Sequence, residues 1–178
     1  MWGAGPGGQG DHMEFKVKLI SRDAVPAALE RAERYRLLNE PQQAESICLD
    51  VLSVAPDNRE AIILLLLSLS DQLSENAAER LDQAWSLLPR LDDEYLRAYY
   101  QGILFERQAL VYMRRAAPGS SFSAYDLLLE AMRLYEKAEG LRPPGNDEAL
   151  FRWNSCVRTI TANRLQPRPA EDFRPMME

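Results

Sequence analysis

The sequence predicts an all-α fold built from antiparallel helix pairs, and two observations lead to it. A pattern that begins with alanine and ends with proline twelve residues later occurs twice, from Ala44 to Pro56 and from Ala131 to Pro143. Small residues at this spacing let two helices approach closely, and the proline ends the pair. The middle of the chain is also rich in Ala, Leu, Glu and Arg, which favours helices. The positions four and seven residues after the alanine hold Cys48 and Val51 in the first copy, and Tyr135 and Ala138 in the second.

The first 23 residues are predicted to lie outside the helical domain. Residues 1–12 are Gly-rich and are interpreted as a leader left by cloning, so that the native chain begins at Met13. Residues 13–23 form an N-terminal arm, in which apolar and polar residues alternate from Phe15 to Leu19 with the period of a strand. Because a lone strand has no partner in a helical fold, we expect an extended arm packed on the first helices. The alternative is an edge that pairs with another copy.

The first helix pair carries the clearest signals. Helix one is predicted over Ala24–Asn39, with Asp23 as its N-cap, because apolar side chains recur there at helical spacing. Pro41 marks the turn into helix two, which is predicted over Gln42–Val54. Pro56 then blocks any continuation of that helix and closes the pair.

Apolar residues, a proline break and a small residue also predict the second pair and the fifth helix. Helix three, over Arg59–Leu73, is apolar almost all round and should be buried on more than one side. Helix four, over Ala77–Leu88, ends or bends at Pro89. Helix five, over Asp92–Arg115, contains Gly102 at the position that a buried alanine holds in helix one. It should therefore open a third pair.

The last two helices are bounded by loops rich in proline and glycine. A loop at 117–121 precedes helix six, which is predicted over Ser123–Gly140. A second break at 141–146 precedes helix seven, over Asp147–Ala162, which has no following partner and should cap the array. The domain therefore spans residues 24–162. Residues 163–178 contain three prolines and are expected to form a mobile tail.

The first pair covers 34 residues, from Val25 to Asn58, and its pattern resembles the tetratricopeptide repeat family. The resemblance extends to about Ile160, although Ala28 and Arg31 replace the early tryptophan and leucine of the family pattern. It implies a right-handed superhelix of helix pairs whose concave face commonly holds a peptide or helix. The stretch from Arg142 to Asn154 also resembles bacterial repeat proteins of unassigned function, which implies a bacterial, cytoplasmic setting.

The repeat geometry of that family places seven residues of the first helices on the concave face, where they would contact a protein or peptide partner. Tyr99 and Arg107 are the strongest candidates for anchors, because Tyr and Arg are enriched in binding sites. The clamp with which some family members hold a C-terminal carboxylate is not expected, since Leu29 and Glu33 occupy two of its positions. The predicted groove residues are Glu33, Arg36, Leu67, Tyr99, Ile103, Glu106 and Arg107.

Two aromatic features admit both a packing and a binding interpretation. Tyr99 and Tyr100 point about 100 degrees apart on a helix, so one of them should be accessible. Trp153 most simply covers the end of the apolar core. Its neighbour Arg152 either contacts a ligand or pairs with Glu148 and solvent.

No catalytic constellation appears in the sequence, so we expect neither an enzyme nor a cofactor or metal site. The single histidine, His12, lies in the leader, and no Gly-rich phosphate loop follows a strand. Acidic pairs such as Asp92 with Asp93 precede predicted helices, where the helix dipole favours them. Cys48 and Cys156 are too few for a zinc cluster or a disulfide framework, and this cysteine usage fits the cytoplasm.

The charge and hydropathy of the chain also exclude two classes of partner. The net charge of −6 argues against nucleic acid. The longest apolar run, Ala61–Leu67, is far too short to span a membrane. The preferred hypothesis is a non-catalytic adaptor or scaffold. The alternative is a self-associating structural protein, in which helix three or the N-terminal arm forms a homodimer.

Overall fold

A computed structural model describes residues 15–73, 77–115 and 117–169, so the predicted leader and Met13 lie outside the described residues. Within these ranges the chain is entirely helical and contains no strand, which confirms the all-α prediction. Short 3-10 turns at Arg22–Ala24 and Leu88–Arg90 accompany seven α-helices. These are α1 (Val25–Leu37), α2 (Pro41–Val54), α3 (Arg59–Asp71), α4 (Ala77–Leu87), α5 (Glu94–Arg115), α6 (Ser120–Leu141) and α7 (Glu148–Ala162).

The helices pack mainly on their neighbours in the chain. Contacts join α1 to α2, α2 to α3 and α3 to α4. The 22-residue helices α5 and α6 form the most extensive pair, and α7 packs on α6. The first helices of the successive pairs also touch one another, α1 with α3 and α3 with α5. This nearest-neighbour packing is the arrangement that a short helical repeat array requires.

The small residues of the repeated pattern lie at the centre of this packing. Ala44 and Cys48 are fully buried in a core formed by α1 to α4, whereas Ala131 and Tyr135 are fully buried in a second core formed by α5 to α7. The two cores meet at partly buried residues such as Leu67, which packs against both. The buried positions of the pattern are therefore confirmed as contact points between helices.

Gly102 allows the close approach of α5 and α6. A methyl group added at this position would lie 2.6 Å from Cε1 and 2.9 Å from Cδ1 of the Tyr135 ring. Such distances are far below van der Waals contact, so only glycine lets the ring pack against the α5 backbone. The spacing that predicted a small residue here thus identified a helix crossing.

The helix ends follow local chemistry, with one correction. Asn58 caps α3, because its side-chain oxygen accepts a hydrogen bond of 2.9 Å from the Ala61 N–H. Pro41 occupies the first turn of α2, where its missing N–H costs nothing. The prediction that Asp23 caps α1 is wrong. Asp23 lies within the 3-10 turn, and Ala24 precedes α1 without a side-chain cap.

The N-terminal arm differs from its prediction. The described residues 15–21 belong to no helix or strand, and Phe15, Val17 and Leu19 are 86%, 86% and 77% exposed. Only Ile20 packs against the first core. The expectation that the arm packs on the first helices is therefore wrong for its three alternating apolar residues.

The start of the predicted tail lies against the helical domain. Leu165 packs on the second core, and the Arg168 guanidinium lies 5.5 Å from the centre of the Phe122 ring. These contacts join residues 163–169 to the beginning of α6. Positions 170–178 lie outside the described residues, so the mobility of the tail stays a prediction there.

Candidate functional site

One groove collects residues from the first helix of all three pairs. It has a volume of about 460 Å³ and lies where the C-terminal ends of α1 and α3 meet the second half of α5. We call it the arginine groove. Its lining consists of Arg36, Leu37, Asn39, Ser70, Asp71, Leu73, Arg107, Leu110, Val111 and Arg114.

Asp71 forms the charged floor of the arginine groove. Its Oδ2 accepts a hydrogen bond of 2.8 Å from Nε of Arg36, and its Oδ1 lies 2.5 Å from Nη1 of Arg107. The three side chains keep 18–27% of their surface exposed, so solvent and salt screen these pairs only in part. One carboxylate at the end of α3 thereby links α1 to α5.

The rest of the groove combines an exposed cation, Arg114, with an apolar wall. Arg107, Val111 and Arg114 are four and three residues apart and share one face of α5. Arg114 is exposed and forms no ion pair with any residue in the described part of the chain. Leu110 and Val111 are half-buried beside it. The groove therefore offers both guanidinium donors and apolar contact area.

Two of the seven predicted groove residues lie in this groove, and a third lies on the surface beside it. Arg36 and Arg107 come together through Asp71, as the shared face of α1 and α5 predicted. Glu33 is exposed on α1 but is not part of the lining. The groove residues that sequence reasoning missed include Asp71 and Arg114. Arg114 was detectable, because it follows Arg107 by seven residues on the same helical face.

Of the other four predicted groove residues, three are buried and one is partly buried. Tyr99 and Ile103 are only 8% and 2% exposed, and Leu67 packs between the two cores. Glu106 is also buried. The predicted contact of Tyr99, Ile103 and Glu106 with a partner needs a correction, because α6 and α7 pack over this side of α5 and bury these three side chains. Leu67 on α3 is only partly buried and is not part of the groove lining.

The tyrosines of α5 form a buried stack instead of a binding surface. Tyr99 stacks on Tyr95 with ring centres 5.9 Å apart, and its hydroxyl donates a 3.3 Å hydrogen bond to Oε2 of Glu148. Burial raises the pKa of Tyr99 above its ordinary value. Tyr100 is half-buried, and burial raises its pKa to about 12. Of the two adjacent tyrosines, Tyr99 is therefore buried and Tyr100 remains partly accessible.

A buried acid holds the last three helices together. Glu106 of α5 accepts a 2.6 Å hydrogen bond from the Tyr135 hydroxyl of α6 and a 3.3 Å hydrogen bond from Nη1 of Arg152 on α7. Burial raises the pKa of Tyr135, and the adjacent Glu106 raises it further. Of the alternatives for Arg152, the structure shows pairing, with Glu106 as the partner. Trp153 is partly buried against the second core, as the packing interpretation predicted.

Burial and local pairing account for the thiols and for two acids at the start of α5 within the described residues. Within them, no group of three or more His, Cys, Asp or Glu side chains could hold a metal ion. Burial raises the pKa of the Cys48 and Cys156 thiols to about 12, which leaves little thiolate at neutral pH. The acids at the start of α5 have local roles. Asp93 accepts a hydrogen bond from the Leu96 N–H, and Glu94 forms an ion pair of 2.9 Å with Lys137.

A search of the described helices finds none with both the length and the hydropathy needed to cross a membrane. Comparison of the chain with protein-family models, with characterised proteins and with solved structures finds no match.

Proposed function

We propose that the protein is a non-catalytic adaptor that holds a segment of a partner protein in the arginine groove. In this proposal the helix pairs form a right-handed superhelix in a bacterial cytoplasm, and the groove lies on its concave face. The observation that carries it is the shared lining of the groove by α1, α3 and α5. Those helices are the first members of three successive pairs, whose exposed sides line the concave face in helical repeat arrays.

The dimensions of the groove suit a short peptide segment. A volume of about 460 Å³ falls within the range of specific binding sites, which combine apolar walls with a few placed polar groups. Leu110 and Val111 supply the wall, and three arginines surround it. Arginine is among the residues most enriched at binding hot spots, because its planar fork gives directional contacts.

The test is a titration of a captured partner against matched variants of the full chain. Arg107→Ala removes a groove side chain, whereas Lys137→Ala removes an exposed cation on α6 far from the groove. We expect the groove variant to weaken binding by about 1–2 kcal/mol or more and the α6 variant to leave it unchanged. Equal affinities for both variants would show that the partner binds elsewhere.

A self-associating protein is the second candidate, and the N-terminal arm favours it. Phe15, Val17 and Leu19 are exposed and alternate with polar residues, which is the pattern of a strand whose edge could pair with another chain. Helix α3 offers no comparable surface, because its apolar residues lie in the first core. Removal of residues 13–19 should convert a dimer to a monomer in light scattering. A concentration-independent monomer for the full chain removes this candidate.

A further inference from the structure

We infer that the arginine groove recognises a carboxylate-bearing segment, in which at least one Asp or Glu side chain enters the groove beside an apolar residue. The inference rests on the proposed function and adds the chemistry of the partner. Three arginines and one aspartate line the groove, so it carries an excess of two positive charges. The whole chain has a net charge of −6. An acidic protein that concentrates arginines in one concave site favours anions there and repels them elsewhere.

Asp71 shows that the groove already accommodates a carboxylate. Both of its oxygens contact guanidinium nitrogens, one on Arg36 and one on Arg107. Each guanidinium has five N–H donors, and Asp71 is the only acid that these two arginines contact within the described residues. Arg36 and Arg107 therefore each keep N–H donors that Asp71 does not engage.

Arg114 supplies the site for the incoming charge. It is exposed, it lies about two helical turns beyond Arg107 on the same face of α5, and it pairs with no acid in the described part of the chain. A partner carboxylate between Arg107 and Arg114 would receive charge-assisted hydrogen bonds from both. Leu110 and Val111 lie between these arginines in the sequence and line the same groove, so they would contact the apolar neighbour of that acid.

Asp71 also competes with the ligand. Its negative charge repels an incoming carboxylate and engages two of the three arginines. Asp71→Asn removes the charge while it keeps the shape, so it should tighten the binding of an acidic peptide. A gain of affinity on loss of a side-chain charge is a result that nonspecific damage to the fold would not produce.

The experiment measures fluorescence anisotropy of labelled peptides with the full chain. The probes are a peptide of alternating Glu and Leu, the same peptide with Gln in place of Glu, and one with phosphoserine in place of Glu. The variants are Arg114→Gln, Asp71→Asn and the matched control Arg158→Gln, which changes an exposed arginine on α7 outside the groove. Arg114 has no ionic partner among the described residues, so its replacement should leave folding intact.

The inference requires the Glu peptide to bind and the Gln peptide to bind at least about tenfold more weakly. Arg114→Gln should weaken the Glu peptide by about fivefold or more, Asp71→Asn should tighten it, and Arg158→Gln should leave it unchanged. Added salt should weaken binding, because the contacts are between partly exposed charges.

Three results would overturn it. Glu and Gln peptides of equal affinity remove the charge requirement, and equal losses for Arg114→Gln and Arg158→Gln remove the groove as the site. Binding of the phosphoserine peptide alone would assign the groove to phosphate instead of carboxylate. In each case, a captured partner that Arg107→Ala still weakens would support the adaptor function even though the carboxylate inference is wrong. The two proposals can therefore be refuted independently.

Discussion

Gly102→Ala tests whether the contact between α5 and α6 is as close as the structure shows. The added methyl carbon would lie 2.6 Å from Cε1, 2.9 Å from Cδ1 and 3.1 Å from Cζ of Tyr135. The ring cannot move away freely, because Tyr135 is fully buried and its hydroxyl is bonded to Glu106 at 2.6 Å. Either the ring leaves its hydrogen bond or the two helices separate.

Two opposing effects set the magnitude of this change. Overpacking of a tight core costs about 1–3 kcal/mol. Alanine in a helix interior is favoured over glycine by about 0.5–1 kcal/mol. Because the clash involves a ring that is held on every side, the packing term should prevail. We expect the free energy of unfolding to fall by about 1–2 kcal/mol.

Gly140→Ala is the matched control. Gly140 lies in α6, and a methyl group there would meet nothing within 4 Å, so only the helical preference for alanine remains. The same substitution should therefore stabilise the protein by up to about 0.5–1 kcal/mol. Urea unfolding followed by circular dichroism at 222 nm measures both variants against the parent chain. If Gly102→Ala is as stable as Gly140→Ala, the close packing of Tyr135 on α5 is refuted.

Three further outcomes are expected. Ala44→Leu and Ala131→Leu should each lower the free energy of unfolding by about 1–3 kcal/mol, because both alanines are fully buried between helices; unchanged urea midpoints for both would contradict the packing. Cys48 and Cys156 should resist a thiol reagent at pH 8 in the native protein and react after unfolding, since burial raises their pKa to about 12. Rapid native labelling would show that the cores open. Stability should fall from pH 10 to about 12, because the Tyr100 pKa is raised from 10 to about 12 and the unfolded chain loses that proton first. A free energy of unfolding that stays constant from pH 10 to pH 12 would contradict this expectation.

The helices were predictable because their signals are local. Prolines and glycines separate the apolar stripes, and the predicted bounds differ from the observed ones by three residues at most. The largest difference is at α6, which begins at Ser120 instead of Ser123. Gly119 has φ of 79°, a left-handed conformation that lets the chain turn directly into the helix. The sequence marked the loop but not the residue within it that makes the turn.

The site was only half predictable, since it depends on how neighbouring helices cover α5. Helical spacing correctly grouped Arg36 with Arg107, and the same spacing would have added Arg114. It could not separate the covered face of α5 from the open one, because Tyr99 and Ile103 become inaccessible only through contacts with distant helices. Asp71 escaped notice for the same reason. It contacts Arg36 and Arg107, and each lies about 35 residues away along the chain.

Two adjacent residues of α5 form ion pairs with different roles, Glu106 with Arg152 and Arg107 with Asp71. The Glu106 side chain is 11% exposed, and a carboxylate so far from water is strongly unfavourable unless it is paired and hydrogen-bonded. The Tyr135 hydroxyl and Arg152 meet that need, and in doing so they fix the register of α6 and α7 against α5. Removal of one partner would leave a buried charge, so this pairing cannot be exchanged for an external ligand.

Asp71, at the C-terminal end of α3, is more exposed to solvent than Glu106. Its contacts with Arg36 and Arg107 keep 18–27% of each side chain in solvent, where individual ion pairs contribute about 0–1 kcal/mol. A partner carboxylate can therefore compete for these arginines at little expense to the fold. Because α6 and α7 are held by Glu106 and not by Asp71, such an exchange leaves the second core in place. The difference in burial separates the acid that organises the second core from the more exposed acid that would face an incoming carboxylate in the proposed function.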